Sequence, residues 1–131
     1  MMQCNLRLTD FAQIITAIKP VDLNTALNTG DWISMKNYHR LAVIVQGTVG
    51  SSGTDMTLTL EQATSIGGTG KALNFTEIFS KEGADMLAIG TFTKVTQAAG
   101  NTYTVTNNEQ LDQLLVIDIK AEDLDIANDY D

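Results

Sequence analysis

Two side chains in this sequence could take part in nucleophilic or metal chemistry, the single histidine His39 and the single cysteine Cys4. A thiol nucleophile needs a base beside it, and the spacing of these two residues does not predict that they meet. His39 stands between Tyr38 and Arg40 at the start of an apolar run, which is typical of a strand-edge residue. One histidine and one cysteine also cannot complete a tetrahedral zinc site. We therefore expect no catalytic residue, no metal site and no cofactor, and a protein that is not an enzyme.

A glycine-rich stretch at residues 67–71, GGTGK, is similar to a phosphate-binding loop. That loop requires the pattern G-x-x-x-x-G-K-[ST], whose hydroxyl residue binds Mg²⁺. Here Ser65 occupies the position of the first glycine, and Ala72 replaces the hydroxyl residue. The stretch also lies between two predicted strands, so that no helix N-terminus can receive a phosphate. The sequence therefore predicts a hairpin loop at this position.

Carboxylates are concentrated toward the C-terminus, where residues 109–131 hold half of the sixteen acidic residues. They are Glu109, Asp112, Asp118, Glu122, Asp123, Asp125, Asp129 and Asp131. Paired carboxylates can serve a glycosidase or bind calcium, but the EF-hand pattern with its glycine is missing. We expect residues 118–131 to form either a short helical turn or an acidic tail, with a solvated, charge-repelled face over residues 120–131. A docking surface for a basic partner and adventitious Ca²⁺ binding are the alternatives.

Charge and composition limit the partners of this chain. It has 131 residues, a formal net charge of −8 and 44% hydrophobic residues, which is typical of a single globular domain over residues 1–131. Binding to nucleic acid or to an anionic membrane depends on basic side chains, so we expect no nucleic acid and no membrane as partner. The apolar runs are far shorter than a membrane span, and residues 1–10 lack the pattern of a signal peptide.

One helix is predicted, in an N-terminal helical segment over residues 1–20. Thr9 or Asp10 can cap it, and Pro20 stops it. Four apolar residues have the i, i+3, i+4, i+7 spacing of one helix face: Phe11, Ile14, Ile15 and Ile18. This stripe packs either on the core of its own domain or on a neighbouring chain. Trp32 is likewise either a core anchor or an interface residue, and these five residues are our candidate interface.

Beyond Pro20 the apolar pattern has a period of two, which predicts β-strands. Three runs place apolar residues on one strand face: Met56, Leu58 and Leu60; Tyr103 and Val105; and Leu73, Phe75 and Phe79. Residues 41–45 and 114–117 are apolar on both faces, which is typical of central strands covered on both sides or facing a partner subunit. The fold class that we expect is mainly β, an antiparallel β-sandwich or jelly-roll-like domain with one short N-terminal α-helix.

Three stretches resemble a group of small structural proteins of tailed bacteriophages. They are TGDWISMKNYHRLAVIV (29–45), TLTLEQATSIGGTGKALNFTEI (57–78) and LLVIDIKAEDLDIANDYD (114–131). They are joined through FTKVTQAAGNTYT (92–104), so that the likeness covers most of the chain from about Val21 onward. The matching motifs are a strand entry, a threonine-rich strand and a glycine loop, none of which is catalytic.

This resemblance implies a head decoration, or cement, protein of the virion. Such a protein is made in the host cytoplasm, binds the major capsid protein on the outer capsid surface and stabilises contacts between capsomers, and here we expect a homotrimer. The acidity of the chain fits the outer face of a capsid better than its DNA-filled lumen, where like charges repel. The alternatives are a head–tail or tail structural component, and an adhesin-like β domain that binds Ca²⁺ or carbohydrate.

Overall fold

The computed structural model describes residues 6–23, 27–48, 55–87, 92–106 and 112–130. The chain divides into two compact units, Met1–Ile33 and Ser34–Asp131. All the strands of the described residues lie in the second unit, and the α-helix lies in the first. The predicted fold class is confirmed, since the protein is mainly β with antiparallel sheets and a single short α-helix.

The described elements are short except for four strands of eight or nine residues. The helix α1 spans Leu8–Phe11. The strands are β1 Arg40–Thr48, β2 Met56–Thr59, β3 Glu61–Gln62, β4 Lys71–Ala72, β5 Phe75–Glu82, β6 Thr93–Gly100, β7 Thr102–Val105 and β8 Asp112–Lys120. Three 3₁₀ helices lie at Gly83–Met86, Ala121–Asp123 and Ile126–Asn128.

Strands β1, β8, β5 and β6 form a four-stranded antiparallel sheet in that order. Strand β2 pairs with β7, and β3 pairs with β4, in two smaller antiparallel sheets. The pairing of β1 with β8 runs from Arg40 opposite Lys120 to Thr48 opposite Asp112. Early and late parts of the second unit therefore meet at the β1 side of the larger sheet.

One hydrophobic core joins the four-stranded sheet to the β2–β7 pair. Its most deeply buried members are Ile78, Leu115, Ile117 and Ile119. Alternate residues of β1 (Leu41, Val43, Val45), of β2 (Met56, Leu58) and of β7 (Tyr103, Val105) pack against them. Each fully buried aliphatic side chain contributes about 1.5–3 kcal/mol of hydrophobic transfer free energy. Two sheets that share a core in this way have an arrangement like that of a β-sandwich.

The predicted helix, capped at Thr9 or Asp10 and stopped by Pro20, is wrong in its extent. Helix α1 ends at Phe11, and Ala12 already has extended backbone angles of φ −134° and ψ 142°. Asp10 lies inside the single turn, where its carboxylate accepts a hydrogen bond of 2.9 Å from the backbone N–H of Arg7. The residues that should have continued the helix include four β-branched side chains between positions 14 and 18, which lose rotamer freedom in a helix. A short helix also needs a surface to pack on.

The prediction that Phe79 shares a face with Leu73 and Phe75 is also wrong. The pairing of β5 with β6 shifts register between Phe75 and Glu77, as at a β-bulge. The bulge reverses the alternation, so that Ile78 is fully buried while Phe79 pairs with Val116 and faces the other side of the sheet. A polar residue at position 77 marked this irregularity in the sequence.

The two strands predicted to be central differ in position. Residues 114–117 lie in β8, which is paired on both edges and is therefore central. Residues 41–45 lie in β1, which is the last strand of its sheet among the described residues. Of the two predicted positions the central strand is therefore wrong, and a strand that faces a partner subunit stays a prediction. Ile44 on the outer face of β1 is 66% exposed, so this face is not covered either. The apolar character of β1 needs another explanation than burial on both faces.

The glycine-rich stretch forms a hairpin loop between β3 and β4, as predicted. Gly68 donates its backbone N–H to the carbonyl of Ser65 at 3.0 Å, which closes a four-residue turn. Gly67 occupies the third position with φ +88°, the left-handed angle that a type II turn requires there. A residue without a side chain is therefore needed at Gly67 for the turn.

Candidate interaction surfaces

The five candidate interface residues all belong to the first unit, Met1–Ile33. Phe11 and Ile14 are 67% and 71% exposed, and Ile15 and Ile18 are also exposed. Trp32 is half-buried. Since α1 ends at Phe11, the four apolar residues from Phe11 to Ile18 do not form one helical stripe. The predicted single helical stripe is therefore wrong, and the surface that these residues pack on stays a prediction.

Further apolar side chains of the same unit are exposed and were missed by the helical pattern. They are Leu6, Leu8, Val21, Leu23 and Leu27. Within the unit, Ile18 lies close to Gly30, and the N–H of Asp31 donates to the carbonyl of Ala17 at 3.2 Å. A high density of exposed apolar residues is typical of a surface that binds a partner. We call residues 6–23 and 27–33 the N-terminal unit.

A second apolar surface lies on the outer face of the four-stranded sheet. Ile44 pairs with Val116, and Val116 pairs with Phe79, so that one side chain from each of β1, β8 and β5 forms a continuous row. We call these three residues the outer row. Ile44 is the most exposed of them and stands on the open edge of the sheet, whereas Val116 and Phe79 are half-buried.

Ion pairs flank the outer row on the same sheet face. Arg40 and Asp118 approach to 2.7 Å between Nη1 and Oδ2, beside the β1–β8 end of the row. Lys94 pairs with Glu77 beside the β5–β6 end. Lys81 lies over the ring of Phe92, 5.0 Å from its centroid. An apolar strip bordered by exposed charges has the composition of a protein–protein interface with a polar rim.

The C-terminal acidic stretch is bound to the β3–β4 hairpin by Asp125. Its carboxylate pairs with Lys71 and accepts hydrogen bonds of 2.9 Å from the side-chain amide of Asn128. Its backbone N–H donates to the side-chain oxygen of Gln62 at 2.8 Å. Lys71 also lies over the ring of Tyr130, 5.0 Å from the centroid. We call these five residues the C-terminal clasp.

The clasp changes the ionisation of its two charged members. The hydrogen bonds from Lys71 and Asn128 lower the pKa of Asp125 below its ordinary value. The hydrogen bond to Asp125 raises the pKa of Lys71. Both shifts favour the charged forms, so the pair is ionised throughout the neutral range. Residues 120–130 thus form two 3₁₀ turns with Leu124 packed against the core, while the carboxylates of Glu122, Asp123 and Asp129 stay exposed to solvent.

An open groove of 480 Å³ lies between the segment before β1 and the C-terminal turns. Its lining includes Met35, Tyr38, His39, Leu124, Ile126 and Tyr130. His39 is exposed and directly precedes β1, as predicted for a strand-edge residue, and its backbone carbonyl accepts the N–H of Ala121 at 3.0 Å. Cys4, the other candidate for nucleophilic chemistry, lies outside the described residues. The groove is an apolar depression beside one imidazole.

A smaller cavity of 270 Å³ lies between β5, β6 and β7, where the two sheets meet. Gln113 is buried there and donates its side-chain amide to Glu82 at 3.4 Å. Burial, and secondarily the charge of Glu82, raises the pKa of Tyr103 on the same wall. The cavity is therefore a polar gap at the end of the core.

The described acidic residues of the C-terminal stretch are spread over β8 and the turns that follow it. Asp112 and Asp118 lie on the outer face of β8, while Asp123 accepts the backbone N–H of Lys120 at 2.8 Å. Glu109 and Asp131 lie outside the described residues. In the part of the chain that the structure describes, no three His, Cys, Asp or Glu side chains come together as a metal site would require. Nor does any described helix have the length and apolar character to cross a membrane.

The fold and these surfaces define a small, mainly antiparallel β protein with two exposed apolar regions. Comparison with protein-family models, with curated proteins and with solved structures finds no match to this chain. Its function must therefore be inferred from its own residues.

Proposed function

We propose that this protein is a non-enzymatic decoration, or cement, protein of a tailed bacteriophage. It binds the major capsid protein on the outer surface of the shell and stabilises contacts between capsomers. The resemblance of residues 29–45, 57–78 and 114–131 to small virion proteins supports this function. The observation that carries the proposal is the exposure of the apolar side chains of the N-terminal unit.

An exposed apolar segment is most readily explained by a partner that covers it. Phe11 and Ile14 leave most of their surface in contact with water. Burying a side chain of this kind on a partner contributes about 1.5–3 kcal/mol. The second unit holds its own hydrophobic core, formed by residues from Met35 to Leu124. Covering the N-terminal unit therefore serves attachment, and the β core does not depend on it.

Charge supports the outside of the shell as the place of attachment. The formal net charge of −8 disfavours packing against the phosphates of the enclosed DNA. A decoration protein on the outer surface avoids that repulsion. In this proposal the protein resides in the virion after synthesis in the host cytoplasm.

The proposal is tested by two acidic substitutions in the N-terminal unit. Phe11→Asp with Ile14→Asp should abolish co-sedimentation with empty shells, because the contact loses two apolar anchors and gains two charges to desolvate. The melting temperature should stay unchanged, since both side chains are exposed. A matched control is Ile66→Asp with Leu87→Asp, whose side chains are 90% and 93% exposed in the second unit. Shell binding that survives the first pair of substitutions contradicts the proposal.

The position of the protein in the particle distinguishes the remaining alternatives. A decoration protein is present in many copies over the shell, whereas a head–tail or tail component is present in few. Quantifying the protein against the major capsid protein in purified particles separates these cases. A calorimetric titration with Ca²⁺ addresses the adhesin alternative, which requires saturable binding. The homotrimer stays a prediction of the resemblance, and it is testable by the mass of the isolated protein in solution.

A further inference from the structure

Strand β1 presents an open edge that lacks the usual protection against strand pairing. It spans nine residues and pairs only with β8 among the described strands. Natural edge strands are protected by charges, prolines, bulges or shortness. Residues 41–48 contain no charged residue and no proline, and their pairing with β8 has no register shift. This edge is a ready template for another strand.

The outer row ends at this edge. Phe79, Val116 and Ile44 lie in line across β5, β8 and β1, and the line stops at Ile44, where the sheet stops. A strand added beside β1 would lie about 4.8 Å away and would cover the exposed side of Ile44. A partner that places another apolar side chain opposite Ile44 would continue the row.

We propose that two copies of this protein pair through β1, antiparallel and across a two-fold axis at Ile44. Ile44 of one copy then lies opposite Ile44 of the second. Even-numbered residues of β1 in one copy lie opposite even-numbered residues of β1 in the other. The outer faces of the two sheets therefore lie on the same side of the combined sheet, and so do the core faces. The two four-stranded sheets become one sheet of eight strands, in which the outer rows of the two copies are continuous.

This register also gives Arg40, at one end of the strand, a carboxylate partner in the second copy. It places Arg40 opposite Thr48 of the second copy. Thr48 donates its hydroxyl to Asp112 within its own chain, so this carboxylate lies beside the threonine on the same sheet face. Arg40 has donors beyond the one that binds Asp118, and its side chain can reach across one strand to Asp112 of the second copy. Two-fold symmetry makes this contact twice, as an isologous interface requires.

This inference does not depend on the proposed function, since it concerns contacts between copies of the chain. It also differs from the predicted homotrimer, because a β1–β1 contact joins two copies only. The two outcomes have different masses in solution.

Cysteine cross-linking tests the register. In a Cys4→Ser background, Ile44→Cys places two thiols directly opposite, at the 4.5–5.5 Å Cα separation of antiparallel pairs, which a disulfide can span. We expect near-complete oxidation to a covalent dimer. Gln46→Cys is the matched control on the same strand and face, and it should stay monomeric under the same conditions, because its partner position is Ala42. Mixing Gln46→Cys with Ala42→Cys should restore the cross-link between the two variants.

Sedimentation of the uncross-linked protein gives the independent readout. The wild type should be a dimer, and Ile44→Asp should be a monomer with an unchanged circular dichroism spectrum, since this side chain is exposed. Ile66→Asp should remain a dimer. Equal cross-linking at positions 44 and 46, a wild type that is monomeric or trimeric, or an Ile44→Asp dimer would each overturn the proposal.

Discussion

At the scale of single residues, Asp125 has the largest number of described partners among the carboxylates. It binds Lys71 and Asn128 through its side chain and Gln62 through its backbone. Exposed ion pairs usually contribute little to stability because water and salt screen them. Asp125 is different in its context, because its contacts join the C-terminal turns to the β3–β4 hairpin. Its loss should therefore release a segment as well as an ion pair.

The first prediction concerns the pH dependence of this contact. The pKa of Asp125 is lowered from 3.8 in the folded state, so its stabilising effect is present above that value and is lost as the pH falls through the folded pKa. Asp125→Asn should lower the melting temperature at pH 7, and the difference from the wild type should shrink as the pH falls below about 3.8. Thermal unfolding across pH 2–7 measures this.

Asp129→Asn is the matched control for that series, because it removes an exposed carboxylate of the same segment. It should leave the melting temperature nearly unchanged at every pH. A difference between Asp125→Asn and the wild type that stays constant down to pH 2 would show that the carboxylate charge is not what matters.

At the scale of elements, the strands were predictable where apolar and polar residues simply alternate. The extent of the helix was not predictable. Strands β2 and β7 follow an apolar–polar alternation, and the structure forms both and pairs them. The helical spacing from Phe11 to Ile18 was misleading, because periodicity does not report the low helix propensity of β-branched residues or the absence of a packing surface. Glu77 marked an irregularity before Phe79, but the sequence did not show that a bulge there reverses every later position of the strand. The candidate interface residues could be chosen from their residue types, but their neighbours and exposure in the structure could not be predicted.

The second prediction concerns the turn between β3 and β4. Gly67→Ala should destabilise the protein by about 1 kcal/mol, because an L-residue with a Cβ resists the left-handed angle. No heavy atom lies within 4 Å of the added Cβ, so the cost is conformational and not steric. Gly67→Asn should cost clearly less, since asparagine visits this region more readily. Urea unfolding of the two variants gives the comparison, and equal losses would contradict this account of the turn.

At the scale of the whole molecule, two kinds of surface serve two purposes. The N-terminal unit attaches the chain to a shell in the proposed function, whereas the β1 edge joins copies of the chain. A weak contact becomes durable when several copies are linked, because the second contact forms at high effective concentration. The sequence indicated that residues 41–45 are apolar on both faces, but only the strand order placed them at an edge.

The third prediction follows from linking these surfaces. Ile44→Asp should weaken shell binding by roughly 10²–10⁴-fold, although the substitution leaves the N-terminal unit intact. Binding to empty shells over a protein concentration series measures this loss. The cross-linked Ile44→Cys dimer should bind as tightly as the wild type. If Ile44→Asp binds shells with wild-type affinity, attachment does not depend on pairing.

The pairing of β1 with β8 has a consequence for the folding of the chain during its synthesis. Residues that pair across these strands are separated by 64 to 80 positions, from Thr48 with Asp112 to Arg40 with Lys120. At a synthesis rate of about 5–20 residues per second, the ribosome needs roughly 3–16 s to make β8 after β1. During that interval the apolar residues 41–45 lack the strand with which they pair. Nascent chains are therefore the form most prone to aggregation, and slow closure of this strand pair should limit the folding rate.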